Sequence, residues 1–321
     1  MIIVLFLFTA FDYSINTNLN ITYDDNIFEY SSKYLEEFVK RVHPERFPFE
    51  TYDDLYTNYN FGILIRNKFI GQHTTTFNLN VSGYNYLTNQ QKDYLIISTG
   101  IRQSFGKLAT KFEYLVIPDY LIRYYRDPLG TEYIGCTFVE HLFTLKTNLK
   151  FNPLEFGAVF GFEIDDYIKN FDVYDSKAIR FGPNIVLSLL KTVQFGIGYE
   201  LKSSGAKGPT PDISYLQHKI GINTSFKTGV PKFSEMVLAY QLKYRIFTTE
   251  VSPILDTPHS GREDITHKFT TTYEFPILTN LFISFDYGYE FRYSSSEVYP
   301  DIGEYKNYNK WMVGCGLEFK Y

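Results

Sequence analysis

The stretch KWMVGCGLEFKY, residues 310–321, decides how the rest of the chain is read. Trp311, Val313, Cys315, Leu317, Phe319 and Tyr321 alternate with Lys310, Met312, Gly314, Gly316, Glu318 and Lys320. A period of two puts the first set on one face of a β-strand and the second on the other. One face suits hydrocarbon and the other suits water. Working backwards, the pattern recurs about every 20 to 25 residues. Leu281, Ile283, Phe285, Tyr287, Tyr289, Phe291 and Tyr293 form the next apolar face, then the alternating positions of 265–275 and of 236–246. Similar faces lie in 220–226, 193–201, 179–187, 156–164, 108–116, 95–105, 77–81, 59–65 and 15–23. Pro183 weakens the strand at 179–187, because proline cannot donate to a ladder. Residues 131–149 read as a strand of unfixed phase. The sum is about fourteen antiparallel strands, within a range of about twelve to sixteen.

The connections sort by length. Short ones fall at 67–71, 106–107, 150–153, 190–192, 227–232 and 276–280, and longer polar ones at 24–55, 84–93, 165–178, 202–212, 250–264 and 294–307. The 118–132 stretch joins the long set. Such alternation predicts an all-β architecture: one transmembrane barrel with short periplasmic turns, longer extracellular loops and an even strand count.

Composition agrees. Aromatics make up 19% of the 321 residues, with 29 Tyr and 30 Phe but one Trp, a set that suits pleated surfaces and membrane interfaces. Mean hydropathy is −0.20, as expected when lipid-facing and water-facing residues alternate. A net charge of −5 without any basic run argues against nucleic acid as a partner. Cys136 and Cys315 fall on well-separated strands and read as small wall residues, not as a disulfide. Residues 1–10, MIIVLFLFTA, read as the apolar part of a secretory signal that lacks its positive leading region, with the barrel occupying 11–321. No later apolar run is long enough for a membrane helix, so strands must do the spanning.

The final residues resemble the C-terminal strand signal of bacterial outer-membrane proteins, a terminal aromatic with apolar residues at alternating positions before it. Val313, Leu317, Phe319 and Tyr321 carry that resemblance. It implies a bacterial outer-membrane location, contact with outer-membrane lipid, and recognition by the barrel-insertion machinery. A count near fourteen is similar to that of fatty-acid transporters and monomeric porins. The former carry an N-terminal hatch before strand one, whereas strand one here starts almost at once.

The opposite face of the strands carries charge: Arg66, Arg102, Lys111, Glu113, Glu163, Arg180, Glu200, Lys219, Lys243, Arg245, Lys268, Glu274, Asp286, Glu290, Arg292 and Glu318. Each Arg or Lys would cost about 2–4 kcal/mol against lipid at the bilayer midplane. These residues are therefore expected to line a lumen, either as the wall of an aqueous channel or as ladders that close it. Passage of small hydrophilic solutes through a mixed-charge pore is the leading expectation. A non-conducting scaffold that docks another envelope protein is the alternative.

The first long loop carries the remaining signals. Ser31 or Ser32 caps a short helix with an apolar face of Tyr34, Leu35, Phe38, Val39 and Val42, ended by His43-Pro44. Asp24, Asp25, Asn26, Asp53 and Asp54 flank it, and are expected to converge on calcium, which prefers several hard oxygens. No other cofactor is expected. The acidic pairs with His43 resemble outer-membrane proteases, and His259-Ser260 resembles outer-membrane phospholipases. Both signals are short, so no catalytic residue is assigned and an enzyme is not expected.

Overall fold

The computed structural model describes residues 12–127, 130–190, 192–229 and 234–321. The expected leader, residues 1–10, lies outside them. The first half of the chain forms β1 (Asp12–Asp24), β2 (Asp54–Ile70), β3 (His73–Tyr86), β4 (Tyr94–Phe105), β5 (Leu108–Arg126), β6 (Tyr133–Phe151) and β7 (Leu154–Tyr167). The second half forms β8 (Ser176–Leu189), β9 (Val193–Ala206), β10 (Tyr215–Lys227), β11 (Glu235–Phe247), β12 (Arg262–Leu278), β13 (Leu281–Ser296) and β14 (Tyr308–Lys320). Helix α1 (Ser32–Val39) lies in the first long connection and α2 (Ile302–Lys306) in the last.

Each strand pairs antiparallel with its sequence neighbours, and β1 pairs with β14, so the sheet closes into a fourteen-strand barrel. At the seam Ile15 and Tyr321 exchange backbone hydrogen bonds of 2.9 and 2.8 Å. Closure gives the ladder groups partners within the sheet and leaves no open edge. Gly71 and Gly106 open the tight turns after β2 and β4 with φ of +57° and +62°, a region where a side chain would be strained.

The apolar faces point outward. Phe160, Phe181 and Phe285 are each more than half exposed, and alternating aliphatic and aromatic residues around the ring are exposed as well. A continuous exposed apolar band is costly in water and stabilising in hydrocarbon, so this is a membrane barrel. Three outward tyrosines meet histidines diagonally across a strand pair: Tyr114 with His141 (2.8 Å), Tyr199 with His218 (2.8 Å) and Tyr240 with His267 (2.9 Å). Each hydroxyl satisfies a ring nitrogen that the lipid side could not. The main cluster of buried apolar residues is instead in the first loop, where Ile27, Phe28, Tyr30, Tyr34, Phe47 and Phe49 pack with Leu121 of β5.

The structure departs from the sequence reading at residues 118–132 and on the face of α1, and it keeps the strand expected at 179–187. Residues 118–132 are mostly strand, because β5 runs on to Arg126 and absorbs Pro118 in a register shift between Ile117 and Tyr120. β8 survives Pro183: its pairing with β9 skips from Phe181 to Asn184, while the pairing with β7 continues. Gly182 packs so closely on the Tyr199 carbonyl that an added Cβ would lie 1.8 Å from it. In α1, Ser31 caps the helix as expected, accepting from the Tyr34 amide at 3.3 Å, but Val39 and Val42 are exposed rather than part of the packed face.

Candidate functional site

The site begins with a turn at the end of β1. The Asp24 carboxylate accepts from the Asn26 amide at 2.9 Å. The Asn26 side chain, 2% exposed, then accepts from the Tyr30 amide (2.8 Å) and donates to the Tyr30 carbonyl (2.9 Å). This clamp holds Glu29 at a φ of +53°. Phe28 packs on Phe49 with ring centres 4.0 Å apart, and Phe49 packs on Tyr124 of β5 at 5.5 Å. The loop therefore crosses the barrel mouth from β1 to β5. Beneath it Lys92 donates to the Leu121 carbonyl at 2.6 Å, with the Phe28 and Tyr120 rings close by. Burial pushes the Lys92 ammonium down to about 7.

Beside the loop core a cavity of about 690 Å³ opens at the long-loop end. Its cations are Arg46, Arg123, Arg245, Arg262, Arg292 and Lys306. Arg262 forms a two-pronged pair with Asp264 at 2.8 and 2.6 Å, and Arg46 lies 3.6 Å from Glu37. Of the others, the three arginines bond to neutral groups. Arg123 donates to the Glu29 carbonyl (2.8 Å), Arg245 to Gln217 (2.9 and 3.2 Å) and Arg292 to the Lys306 carbonyl (2.9 Å). Their guanidinium groups lie over the rings of Tyr30, Tyr215 and Tyr308 at 5.2, 4.0 and 4.6 Å. Among the described residues, no carboxylate is within ion-pair distance of Arg123, Arg245, Arg292 or Lys306. Lys306 is pushed well below the ordinary lysine range, first by burial and then by repulsion from Arg262, Arg123 and Arg292.

Glu29 lines both this vestibule and a cavity of about 200 Å³ beneath it, shared with Lys243, Arg245, Glu290 and Arg292. Burial alone would raise its carboxyl. Attraction to Lys310, Arg292 and Arg123 outweighs that and holds it at about 2. Its nearest cation is Lys310 at 3.6 Å, which also lies 3.4 Å from Asp24.

Farther from the long loops the inward charges pair with one another along the wall. Glu113 pairs with Lys111 and, at 3.7 Å, with Lys146. Glu163 pairs with Lys202 at 2.5 Å, and Glu200 lies between Arg180 (3.5 Å) and Lys219 (2.6 Å). Lys268 pairs with Glu290 at 3.2 Å, and Lys320 joins Glu274 (3.2 Å) to Glu318 (3.1 Å). Arg66 reaches Asp12 at 3.5 Å, Asp286 accepts from the Thr272 hydroxyl at 2.6 Å, and Arg102 sits opposite Lys111 in the ladder. In register, the paired residues alternate along their strands with the exposed apolar positions. The inward face also carries an arc of rings across β2–β7: Tyr56–Tyr84 at 6.0 Å, Tyr84–Tyr94 at 4.3 Å, Tyr94–Tyr120 at 5.0 Å, Tyr120–Phe138 at 5.6 Å and Phe138–Tyr167 at 5.0 Å.

The five oxygen donors expected to hold calcium are drawn into other bonds. Asp25 accepts from the Trp311 amide (2.8 Å) and Asp53 from the Tyr23 hydroxyl (2.6 Å). Asp54 accepts from the amides of Leu55 (2.8 Å), Thr88 (3.1 Å) and Asn89 (2.7 Å), while Asp24 and Asn26 build the turn above. Among the described residues no three His, Cys, Asp or Glu side chains converge as metal ligands. Backbone amides at the loop ends compete with a cation for these oxygens.

His43 is exposed beside Glu45 at 3.4 Å. His259 bonds to Asp256 at 2.7 Å, whereas the Ser260 hydroxyl donates to the Val251 carbonyl at 3.3 Å, so the pair is not arranged as base and nucleophile. Val313, Leu317, Phe319 and Tyr321 all lie on the exposed outer face. Sequence reasoning missed Glu29, Lys92, Arg123 and Lys306. Glu29, Lys92 and Lys306 lie in loops without period, and Arg123 follows Pro118 in a stretch that reads as loop.

No family model matches the chain, and neither does any curated protein. Among solved structures, it is similar to an anion-selective porin from Comamonas acidovorans, with a TM-score of 0.51, 8% identity, and coverage of 97% of this chain and 99% of that one. It is also similar to the outer membrane channel DcaP of Acinetobacter baumannii (0.52, 9%, 97% and 97%). A loop-deletion mutant of OmpT, an outer membrane protein of Vibrio cholerae, is a third (0.51, 10%, 97% and 100%). At these identities the likeness is one of fold.

Proposed function

We propose that the chain is a passive pore for small hydrophilic solutes in the outer membrane of a Gram-negative-type bacterium. The hollow inner wall carries this reading. A cavity of about 540 Å³ lies along β8–β12, where Gly196, Gly198 and Gly221 send no side chain inward. Another of about 360 Å³ lies between Asn20, Thr22 and Asn58 on one side and Thr270, Thr272 and Asp286 on the other. Pairing between nearby strands keeps charged heads at the wall and leaves room for water between them. The porin-like fold supports the location, with the long loops outside, the short turns in the periplasm and Val313, Leu317, Phe319 and Tyr321 offered to the insertion machinery.

Single-channel recording of the refolded chain in planar bilayers tests this. Stable steps that scale with salt are expected. A folded barrel that passes no current overturns the pore. The aromatic core over the mouth favours a second reading, a closed docking scaffold, and that null result would select it.

A further inference from the structure

We propose that the vestibule is a binding site for a small aromatic organic anion, held by Arg123, Arg245, Arg292 and Lys306, and that Glu29 is a tethered stand-in for the carboxylate of that ligand. The inference deepens the pore reading and rests on its water-filled lumen.

Three observations carry it. First, the inward cations farther down the wall are largely ion-paired, whereas among the described residues none of these four has a carboxylate within ion-pair distance, and Arg123, Arg245 and Arg292 bond to neutral groups. These four are half-buried, so standing without a counter-ion carries part of the cost of a desolvated charge, and an anionic ligand offsets it. Second, the guanidinium groups of Arg123, Arg245 and Arg292 each lie over a tyrosine ring, which holds them in place with further donors unspent. Third, the same cavity of about 690 Å³ presents Tyr125, Tyr167 and Tyr174. A planar ring can lie on these while its carboxylate faces the guanidinium groups. Glu29 is one of the chain's own carboxylates in this field, beside Asp165 and Asp256, and it is the one that Arg292 and Arg123 attract. It reaches Lys310 at 3.6 Å but no arginine within ion-pair range, so it lowers the local potential without filling the site. An incoming carboxylate competes with it for the same cations.

The test uses sodium benzoate as probe, followed by ligand-observed NMR on the full chain in micelles. Saturable binding is expected, weakened about tenfold or more in Arg292→Gln and in Arg245→Gln, which lie on different strands so that misfolding of one leaves the other informative. Glu29→Gln is expected to tighten binding about threefold or more. Cyclohexanecarboxylate, with the same charge and no aromatic face, is expected to bind more weakly. Absent binding, equal binding of the two acids, indifference to both arginine variants, or weaker binding in Glu29→Gln would each overturn the proposal. Currents without benzoate binding keep the pore and remove the site. Binding without current keeps the site and removes the pore.

Discussion

Lys92 shows how a single residue couples the first loop to the barrel. Lys92 is 4% exposed, and its ammonium points at the Leu121 carbonyl beside the Phe28 ring. With its folded value lowered to about 7 from 10.5, the unfolded chain holds a proton between those values that the folded chain lacks. Stability therefore rises with pH across that window, by something on the order of 4 kcal/mol, and is flat with respect to this group below it. Urea unfolding of the micellar protein at pH 7 and pH 10 measures the rise, and Lys92→Met is expected to abolish it. Neither Lys92 nor Glu29 could be recognised beforehand. Their roles come from contacts between segments distant in sequence, such as Glu29 with Lys310, and a one-dimensional pattern carries no trace of those. The paired charges of the wall were legible, because Glu200 or Lys268 sits in a strand whose apolar partners fix the phase.

Among the elements, strands were easier to read than loops for the same reason. β14 declares both its faces, and its pairing with β13 keeps register from Leu281 opposite Phe319 to Arg292 opposite Tyr308. Residues 118–132 failed because Pro118-Asp119 is turn-like chemistry that a bulge absorbs inside a long strand. The helix α1 was visible through its Ser31 cap, but the sequence left open whether it would lie over the mouth, fold inward or simply belong to a covering loop. The loop's placement comes from aromatic packing, Phe49 on Tyr124 and Tyr34 on Tyr305 at 5.7 Å. Replacing residues 27–50 with a short Gly/Ser linker is expected to raise single-channel conductance severalfold while the barrel still folds. The ladder of the barrel uses none of these residues. Unchanged conductance would show that the loop leaves the path open.

At the level of the whole molecule, the usual arrangement of a soluble domain is reversed. Apolar side chains face outward, charges face in, and the main buried apolar cluster is a patch at one rim. The ring as a whole was legible from alternation and loop lengths, because closure follows once many half-apolar strands must satisfy their backbone in lipid. The contents of the lumen were not. Whether inward charges pair or stand alone depends on which strands meet at which height.

That uneven pairing has an electrical result. Arg123, Arg245, Arg292 and Lys306 stand without carboxylate ion pairs in the vestibule at the long-loop end, while the wall farther along is largely neutralised by its own carboxylates. A conduit charged at one mouth accumulates mobile ions under one voltage polarity and loses them under the other. The barrel should therefore rectify, passing unequal currents at equal and opposite voltages. Arg245→Gln combined with Arg292→Gln should restore symmetry to the current–voltage curve. An initially symmetric curve would mean that the rim charge does not reach the ion path. If rectification holds, its sign reports which way each inserted molecule faces in the bilayer.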